Sequence, residues 1–286
     1  MKKVVFRAVG ILAVVAMVVA ALVSCGGGKS ITVVGREDGS GTKAAFMEII
    51  GLKGKADVEG IIAHGSTAAV LNEVKNNPNA IAYDSLGYVD GTVKILSVDG
   101  VACTVENIKN GTYKISRPLN IVYKEATLEN EVNKAFYDFL GSSQAQKIIS
   151  DNGYVSTKDG AAEYTVHAGL SGKIGISGST SLQPLMVKLA DKFREIQPDV
   201  TVEVSGGGSG TGYKNAENGT SVFGMISESF KAEKAASCTY YEVAKDGIAV
   251  IVNKKNAVEN IALDTLKNIY NCEAGDDAVT AWDQVK

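Results

Sequence analysis

Short apolar runs alternate with longer amphipathic stretches along most of this chain. The apolar runs have the length of strands, and the stretches after them repeat apolar positions at helical spacing. Strand character falls on 31–34, 80–83, 93–98, 119–122, 174–177, 200–204 and 247–253, and helical character on 43–52, 129–140, 182–196, 213–218 and 263–270. This alternation predicts an α/β fold with mainly parallel sheets. Residues 157–170 are polar and aperiodic, which predicts a linker or surface excursion.

The first 25 residues have the pattern of an export signal. Basic residues precede an apolar run from Ala8 to Val23, and Leu22-Val23-Ser24-Cys25 ends it. The run is shorter than the roughly 20 residues of a spanning helix and lacks a basic flank after it. We therefore expect a signal peptide at 1–25 with a lipobox, lipidation of Cys25 and an extracytoplasmic protein anchored by lipid to the bacterial cell membrane. An uncleaved membrane anchor is the alternative.

Composition and charge limit the kinds of partner that this chain is expected to bind. The 286 residues carry a net charge of −3 and are 45% hydrophobic, which suits two modest domains with real cores. No basic stretch interleaved with aromatic residues is present, so we expect no nucleic-acid partner. Beyond the signal, Cys103, Cys238 and Cys272 have no C-x-x-C spacing, and only His64 and His167 could add nitrogen ligands. We expect buried structural thiols, no metal and no cofactor.

Three segments share one design, in which a strand runs into a turn rich in Gly, Ser and Thr that opens a helix. They are Gly35–Thr42, Ser177–Ser181 and Ser205–Gly212. A helix start offers free N–H groups and partial positive charge, glycine lets the backbone approach closely, and hydroxyl groups add neutral donors. Arg36 adds a planar charged fork that suits two oxygens of one oxyanion. Together the turns predict an oxyanion-binding site, although any single one could be only a helix cap.

Nucleotide binding and catalysis are weaker hypotheses for the same turns. No Gly-Lys-Ser/Thr follows a four-residue spacer, and Gly206–Gly212 lacks an acidic ribose partner on the next strand. Gly178-Ser179-Thr180-Ser181 lacks the trailing glycine of a nucleophile elbow. His64, before the capping turn Gly65-Ser66-Thr67, reads as a loop or lining residue rather than a base. A phosphate-ester hydrolase stays open as a second hypothesis.

Six motifs together resemble the substrate-binding proteins of bacterial phosphate ABC transporters. They are Arg36–Thr42, Pro78–Tyr83, Ser116–Leu119, Gly178–Leu185, Gly206–Gly212 and Asp246–Asn253. The resemblance implies a two-lobe, type II periplasmic-binding-protein-like fold with the ligand cleft between the lobes. It also implies a non-enzymatic, monomeric protein that binds inorganic phosphate outside the cytoplasm and delivers it to an ABC transporter permease for import. An oxyanion sensor or a phosphatase-like module of the same fold is the alternative.

The resemblance also implies a set of ligand contacts. The phosphate contacts would come from Arg36, Ser40, Gly41, Thr42, Thr180, Ser181, Ser209 and Ser227. Asp38 would brace Arg36. Where many family members place an acidic residue or a Ser-Arg pair, this chain has Ser227-Glu228, so the group that accepts the phosphate proton is open.

The order of the motifs differs from the family pattern that begins with the Gly-Ser-Thr segment. Here that segment starts the second half, which indicates a circular permutation with old ends joined through 157–170. We expect a contiguous lobe at 113–253, and a discontinuous lobe at 30–112 plus 254–286. Ile31 and Val285 should then lie near one another in one lobe. A unit cut from a tandem array, with clefts between successive units, is the rival explanation.

Overall fold

Residues 29–285 are described by the structure, which is a computed structural model. The predicted signal peptide and Cys25 lie outside the described residues. Between residues 29 and 285, none of the helices combines the length and apolar character needed to cross a membrane.

Twelve strands and eight α-helices form within the described range. The strands are β1 (Thr32–Arg36), β2 (Ile62–His64), β3 (Ala80–Ser85), β4 (Lys94–Ile95), β5 (Ser97–Val98), β6 (Ser116–Tyr123), β7 (Val155–Ser156), β8 (Gly172–Gly178), β9 (Val200–Ser205), β10 (Phe223–Ile226), β11 (Thr239–Val252) and β12 (Asn260–Ile261). The helices are α1 (Gly41–Ile49), α2 (Thr67–Asn76), α3 (Val105–Lys109), α4 (Glu131–Leu140), α5 (Ser143–Asp151), α6 (Gln183–Ile196), α7 (Ser209–Asn218) and α8 (Leu263–Tyr270). Short 3-10 helices lie at Glu125–Glu129, Ala232–Lys234, Gly275–Asp277 and Trp282–Gln284.

Two parallel sheets are joined through a pair of long antiparallel strands. The strand order is β2-β1-β3-β11-β6-β10-β8-β9, with β2-β1-β3 parallel and β10-β8-β9 parallel. β11 pairs with β6 along its first part and with β3 along its last five residues. One strand therefore runs through both sheets. This arrangement confirms the predicted two-lobe α/β fold.

Each sheet carries its own hydrophobic core, and we name the lobes after their place in the chain. The terminal lobe is built on β1–β3, with Phe46 stacked on Tyr83 at 3.9 Å between ring centroids and Tyr270 edge-on to both. The central lobe is built on β8–β10, where Phe136 and Phe193 meet edge to face. Burial of such aromatic groups supplies much of the stabilisation of each lobe.

The crossing strands contribute to both cores. Tyr113, Ile115 and Ile248–Val252 pack into the core of the terminal lobe, whereas Leu119, Ile121 and Ala244 pack into that of the central lobe. The cores thus meet within β6 and β11. The predicted domain boundaries at 112/113 and 253/254 stay a prediction, since the chain could also divide within these strands.

The two ends of the described chain pair with each other. Ile31 N–H donates to the carbonyl oxygen of Thr280 at 2.7 Å, and Trp282 N–H donates to that of Lys29 at 3.0 Å. Ile31 and Val285 both pack against the core of the terminal lobe. The predicted proximity of these two residues within one lobe is confirmed.

The segment at 157–170 contains no helix or strand, as its composition predicts. It is nevertheless held against the central lobe, because the Tyr164 ring is buried and lies edge-on to Phe139 and Phe193 at 5.8 and 5.7 Å, and the Ala162 carbonyl oxygen accepts from Ser143 N–H at 2.8 Å. The exposed residues between these contacts form the surface excursion.

Candidate oxyanion-binding site

The three predicted turns converge where the two lobes face each other. Thr42 Oγ1 at the start of α1 lies 2.8 Å from Ser181 Oγ, across the boundary between the lobes. Gly210 N–H, in the first turn of α7, donates to the carbonyl oxygen of Gly39 at 3.0 Å. One chain therefore brings all three turns to a single cleft, as the resemblance implies.

Arg36 crosses this cleft from the carboxyl end of β1. The side chain is only 2% exposed and its NH2 group donates to Thr180 Oγ1 of the central lobe at 3.0 Å. Nε donates to the His64 carbonyl at 3.0 Å, and NH2 also donates to that of Gly65 at 3.0 Å. Burial lowers the pKa of Arg36, and the nearby Asp84 carboxylate opposes this effect. The His64 and Gly65 carbonyl groups, in the turn between β2 and α2, thus hold the guanidinium in place.

Thr67 belongs to the same cluster, although sequence reasoning did not place it there. Its side chain is fully buried at the start of α2, where Oγ1 accepts from Arg36 NH1 at 3.2 Å. The same hydroxyl lies 3.1 Å from Thr180 Oγ1 and 3.3 Å from Ser181 Oγ. The signal that could have found it is the turn Gly65-Ser66-Thr67, which has the design of the other three.

The remaining predicted residues pack tightly at the other side of the cleft. Ser209 Oγ accepts from Ser227 N–H at 3.0 Å and lies 3.3 Å from Ser227 Oγ. Ser40 caps α1, its hydroxyl accepting from Lys43 N–H at 3.3 Å. A Cβ atom at Gly41 would lie 2.3 Å from Ser209 Oγ, closer than any real contact. Glycine is therefore required at 41 for the lobes to meet in this way.

Four helices begin at or next to the cluster. α1, α2 and α7 start at Gly41, Thr67 and Ser209, and α6 starts two residues after Ser181. A helix start presents N–H groups that are not used within the helix and about half a positive charge. Convergent helix starts with buried hydroxyl groups and one guanidinium suit a tetrahedral oxyanion stripped of water.

A buried group of charges lies beneath the cluster. Arg117 on β6 donates through NH2 to Asp246 Oδ2 on β11 at 3.0 Å, and through NH1 to the Ser227 carbonyl at 3.1 Å. Asp84 on β3 is also fully buried. Desolvation raises the pKa of Asp84 to about 8, against the opposing effects of the Ser85 N–H and of Arg36 and Arg117. Desolvation raises the pKa of Asp246 too, against its ion pair with Arg117.

Two expectations about acidic residues are answered by the geometry. The prediction that Asp38 braces Arg36 is wrong, because the Asp38 side chain is 97% exposed and pairs with Lys43 Nζ at 2.8 Å. Glu228 is buried, but Oε1 accepts from Lys234 Nζ at 2.7 Å and Oε2 lies 2.9 Å from Lys231 Nζ. The lysines, not the serine cluster, therefore hold the Glu228 carboxylate.

The thiols and imidazoles lie in ordinary surroundings. Cys103, Cys238 and Cys272 are all free. Burial raises the pKa of Cys103 to about 12, which fits an inert structural thiol, whereas Cys272 is exposed and departs from that expectation. Over residues 29–285, no three His, Cys, Asp or Glu side chains are grouped as a metal site. His64 lines the site through its carbonyl oxygen, which accepts from Arg36.

A two-lobed α/β fold with helix starts from both lobes facing one cleft defines a solute-binding protein of the periplasmic type. The sequence profile of the PBP superfamily domain matches residues 22–144 and 164–286. Phosphate-binding protein PstS 2 of Streptococcus agalactiae is 38% identical over 250 residues, which cover 84% of this chain and 84% of that protein. The chain belongs to the PstS phosphate-binding protein family.

A solved structure agrees with this assignment. The crystal structure of a phosphate-binding protein of a phosphate ABC transporter from Streptococcus pneumoniae is 35% identical and superposes with a TM-score of 0.71. The match covers 90% of this chain and 100% of that one. The fold therefore agrees with that of the family over nearly its whole length.

The order of the two halves is shared with relatives that align over most of their length. An alignment that covers 84% of both chains follows one order of segments, so this chain and the Streptococcus agalactiae protein have their halves in the same order. Phosphate-binding protein PstS of Bacillus subtilis, 39% identical over 104 residues, aligns with only 35% of this chain and 34% of its own.

Proposed function

We propose that this protein binds inorganic phosphate outside the cytoplasm and delivers it to the permease of an ABC transporter for import. The observation that carries the proposal is the meeting of Arg36 and four helix starts, from both lobes, at one buried cluster of hydroxyl groups. Relatives named phosphate-binding proteins over most of the chain support the same ligand. The site offers many donors and positive charge, which a tetrahedral oxyanion requires.

The phosphate contacts that we propose come from both lobes. The terminal lobe supplies Arg36, Ser40, Gly41 and Thr42, and the central lobe supplies Thr180, Ser181, Ser209 and Ser227. We add Thr67, because its hydroxyl already contacts Arg36 and Ser181. Since each lobe holds part of the set, phosphate would bridge the lobes and stabilise the closed cleft.

We propose binding rather than catalysis at this site. A serine nucleophile needs a neighbouring base to take its proton. Within residues 29–285, the side-chain hydrogen bonds of Ser181 Oγ go to the hydroxyl groups of Thr42 and Thr67, and no imidazole or carboxylate accepts from it. Ser209 Oγ is likewise bonded to the backbone and side chain of Ser227.

The proposal includes a monomeric protein with a lipid anchor at Cys25. The lipobox motif supports the anchor, and the pairing of the chain ends within one lobe supports a complete cleft in one chain. Such a protein would meet its permease at the membrane surface.

Calorimetric titration of residues 26–286 with phosphate, and separately with sulfate, tests the function. We expect one phosphate per chain, independent of protein concentration, and much weaker binding of sulfate. Absence of phosphate binding, or equal affinity for sulfate, would contradict the proposal. Hydrolysis of a phosphate ester by the same protein would favour the enzymatic alternative.

A further inference from the structure

Asp84 lies near Arg36 at the carboxyl ends of the terminal-lobe strands, which border the cleft. β1 and β3 are parallel, with Thr32 opposite Ala80 and Val33 opposite Ile81, so Arg36 and Asp84 lie further along these strands toward the same end, where each contributes to the electrostatic surroundings of the other. Both residues lie at the carboxyl ends of their strands, where ligands bind in open parallel sheets. The Asp84 side chain is fully buried.

One carboxylate oxygen of Asp84 has no hydrogen-bond donor within the described part of the chain. Oδ1 accepts from the backbone N–H of Ser85 at 2.8 Å, whereas Oδ2 accepts no hydrogen bond from any part of the chain between residues 29 and 285. Asp246 Oδ1 is likewise without a hydrogen bond within residues 29–285, but Asp246 Oδ2 accepts from the charged Arg117 NH2 at 3.0 Å, a cationic partner that Asp84 lacks. A buried carboxyl without a partner favours its neutral form, and a paired one favours its charged form.

Each element packed around Asp84 contributes one group to its electrostatic surroundings. Arg36 comes from β1, Arg117 from β6, Asp246 from β11 and Tyr154 from the segment after α5. Tyr83 precedes Asp84 on β3, and burial raises the pKa of both tyrosines. We call Arg36, Asp84, Arg117 and Asp246 the cleft floor; Asp84 is the carboxyl group of this set without a hydrogen-bonded cationic partner, so its protonation changes the charge of the floor.

Resting on the proposed function, we propose that Asp84 is a further residue of the phosphate site, which couples oxyanion binding to the uptake of a proton by its carboxyl group. When Asp84 is neutral, Arg36 and Arg117 face a single buried carboxylate, Asp246, and the floor carries one net positive charge. When Asp84 is charged, the floor is neutral and a carboxylate stands next to the entering anion. The neutral form therefore binds the anion more tightly.

The direction of the pH effect follows from linkage. The pKa of Asp84 is about 8 in the unliganded protein, and a nearby anion raises it further. Well below this pKa the carboxyl group is already protonated, so affinity does not depend on it. Above pH 8 binding must bring a proton, so affinity falls with rising pH, by at most about tenfold per pH unit for one proton.

Calorimetric titration with phosphate between pH 7 and pH 9.5, in two buffers of different ionisation enthalpy, measures affinity and proton uptake together. Asp84→Asn keeps the shape of the side chain, and the protonation of phosphate itself is the same for both proteins. Asp276→Asn, at an exposed position, is the matched control. We expect more proton uptake and a steeper loss of affinity above pH 8 in the unsubstituted and control proteins than in the Asp84→Asn variant.

The outcomes separate the role of Asp84 from the proposed function of phosphate binding. Phosphate binding at pH 7 with the same proton uptake and pH profile in all three proteins would overturn the role of Asp84 and leave the function intact. No phosphate binding at pH 7 would overturn both. A second measurement needs no variant, because the NMR signal of the Asp84 carboxyl carbon should titrate at higher pH with phosphate than without it. An unchanged midpoint would also overturn the inference.

Discussion

Thr42 and Ser181 are separated by 139 positions in the sequence, yet their hydroxyl oxygens lie 2.8 Å apart. Each residue lies in a helix-opening turn, one in the terminal lobe and the other in the central lobe. The contact therefore marks the line along which the lobes close.

Replacing Arg36 with alanine should weaken phosphate binding by about 2–5 kcal/mol, or roughly 30-fold or more in Kd, because it removes a buried charged donor that joins both lobes. Calorimetric titration measures the change. Arg194→Ala, at an exposed position of α6, is the control and should leave Kd unchanged. Equal affinity of the Arg36 variant and the unsubstituted protein would exclude Arg36 from the site.

Gly41→Ala should hinder closure, because the added methyl group would lie 2.3 Å from Ser209 Oγ and 2.8 Å from Ser227 Oγ. We expect phosphate affinity to fall by about 1–3 kcal/mol, roughly 5- to 150-fold. Gly175→Ala is the matched control, since nothing lies within 4 Å of a Cβ atom there. If the two variants bind phosphate equally well, the lobes do not close through this contact.

Glu228→Gln should leave the preference for phosphate over sulfate intact and lower the free energy of unfolding by about 1–3 kcal/mol, because Lys231 and Lys234 lose a charged partner. Denaturant unfolding and parallel titrations with the two anions measure the two effects. Glu233→Gln alters a neighbouring exposed carboxylate and is the control. Loss of the preference in the Glu228 variant would identify that residue as the acceptor of the phosphate proton.

Cys25→Ser should abolish membrane retention in a bacterial host, because the lipid supplies the anchor. Cys272→Ser, at an exposed thiol far along the chain, should leave retention unchanged. Fractionation of cells that express the full chain measures the difference. Recovery of the Cys25 variant in the membrane fraction would favour the uncleaved anchor.

A chain rejoined from Lys286 to Ser30 by a short linker, and opened between Asp159 and Gly160, should bind phosphate with the motif order reversed. The ends already pair through Ile31 and Thr280, and the closure cost grows slowly with linker length. Opening the chain beside Tyr164 instead should reduce stability, because that ring is packed in the core. Loss of phosphate binding in the first variant would contradict the permutation.

The regular elements were largely readable from the sequence because they carry strong periodicity. The predicted helices at 182–196 and 263–270 correspond to α6 and α8 within one residue. β2 and α2 escaped prediction because β2 has only three residues, none of them buried, and the apolar run before the turn at Thr67 is only Ile61–Ala63. A short edge strand is defined by its partner more than by its own residues.

The turns of the site were also predictable, whereas its charges were not. The preference for Gly, Ser and Thr at a helix start depends on neighbouring residues in the sequence, so the helix-opening turns that contain Ser181 and Ser209 could be predicted. The burial of Asp84 depends on β1, β6 and β11 packing around it, which no local pattern encodes. The orientation of Glu228 depends similarly on Lys231 and Lys234, whose side chains could equally have faced water.

β11 gives the molecule one further property. Its first residues complete the sheet of the central lobe, and Ile248–Val252 complete the sheet of the terminal lobe. Neither lobe can lose its share of this strand without pulling on the other, so the two should melt as one cooperative unit instead of as independent foldons. β11 therefore couples the unfolding of one lobe to that of the other.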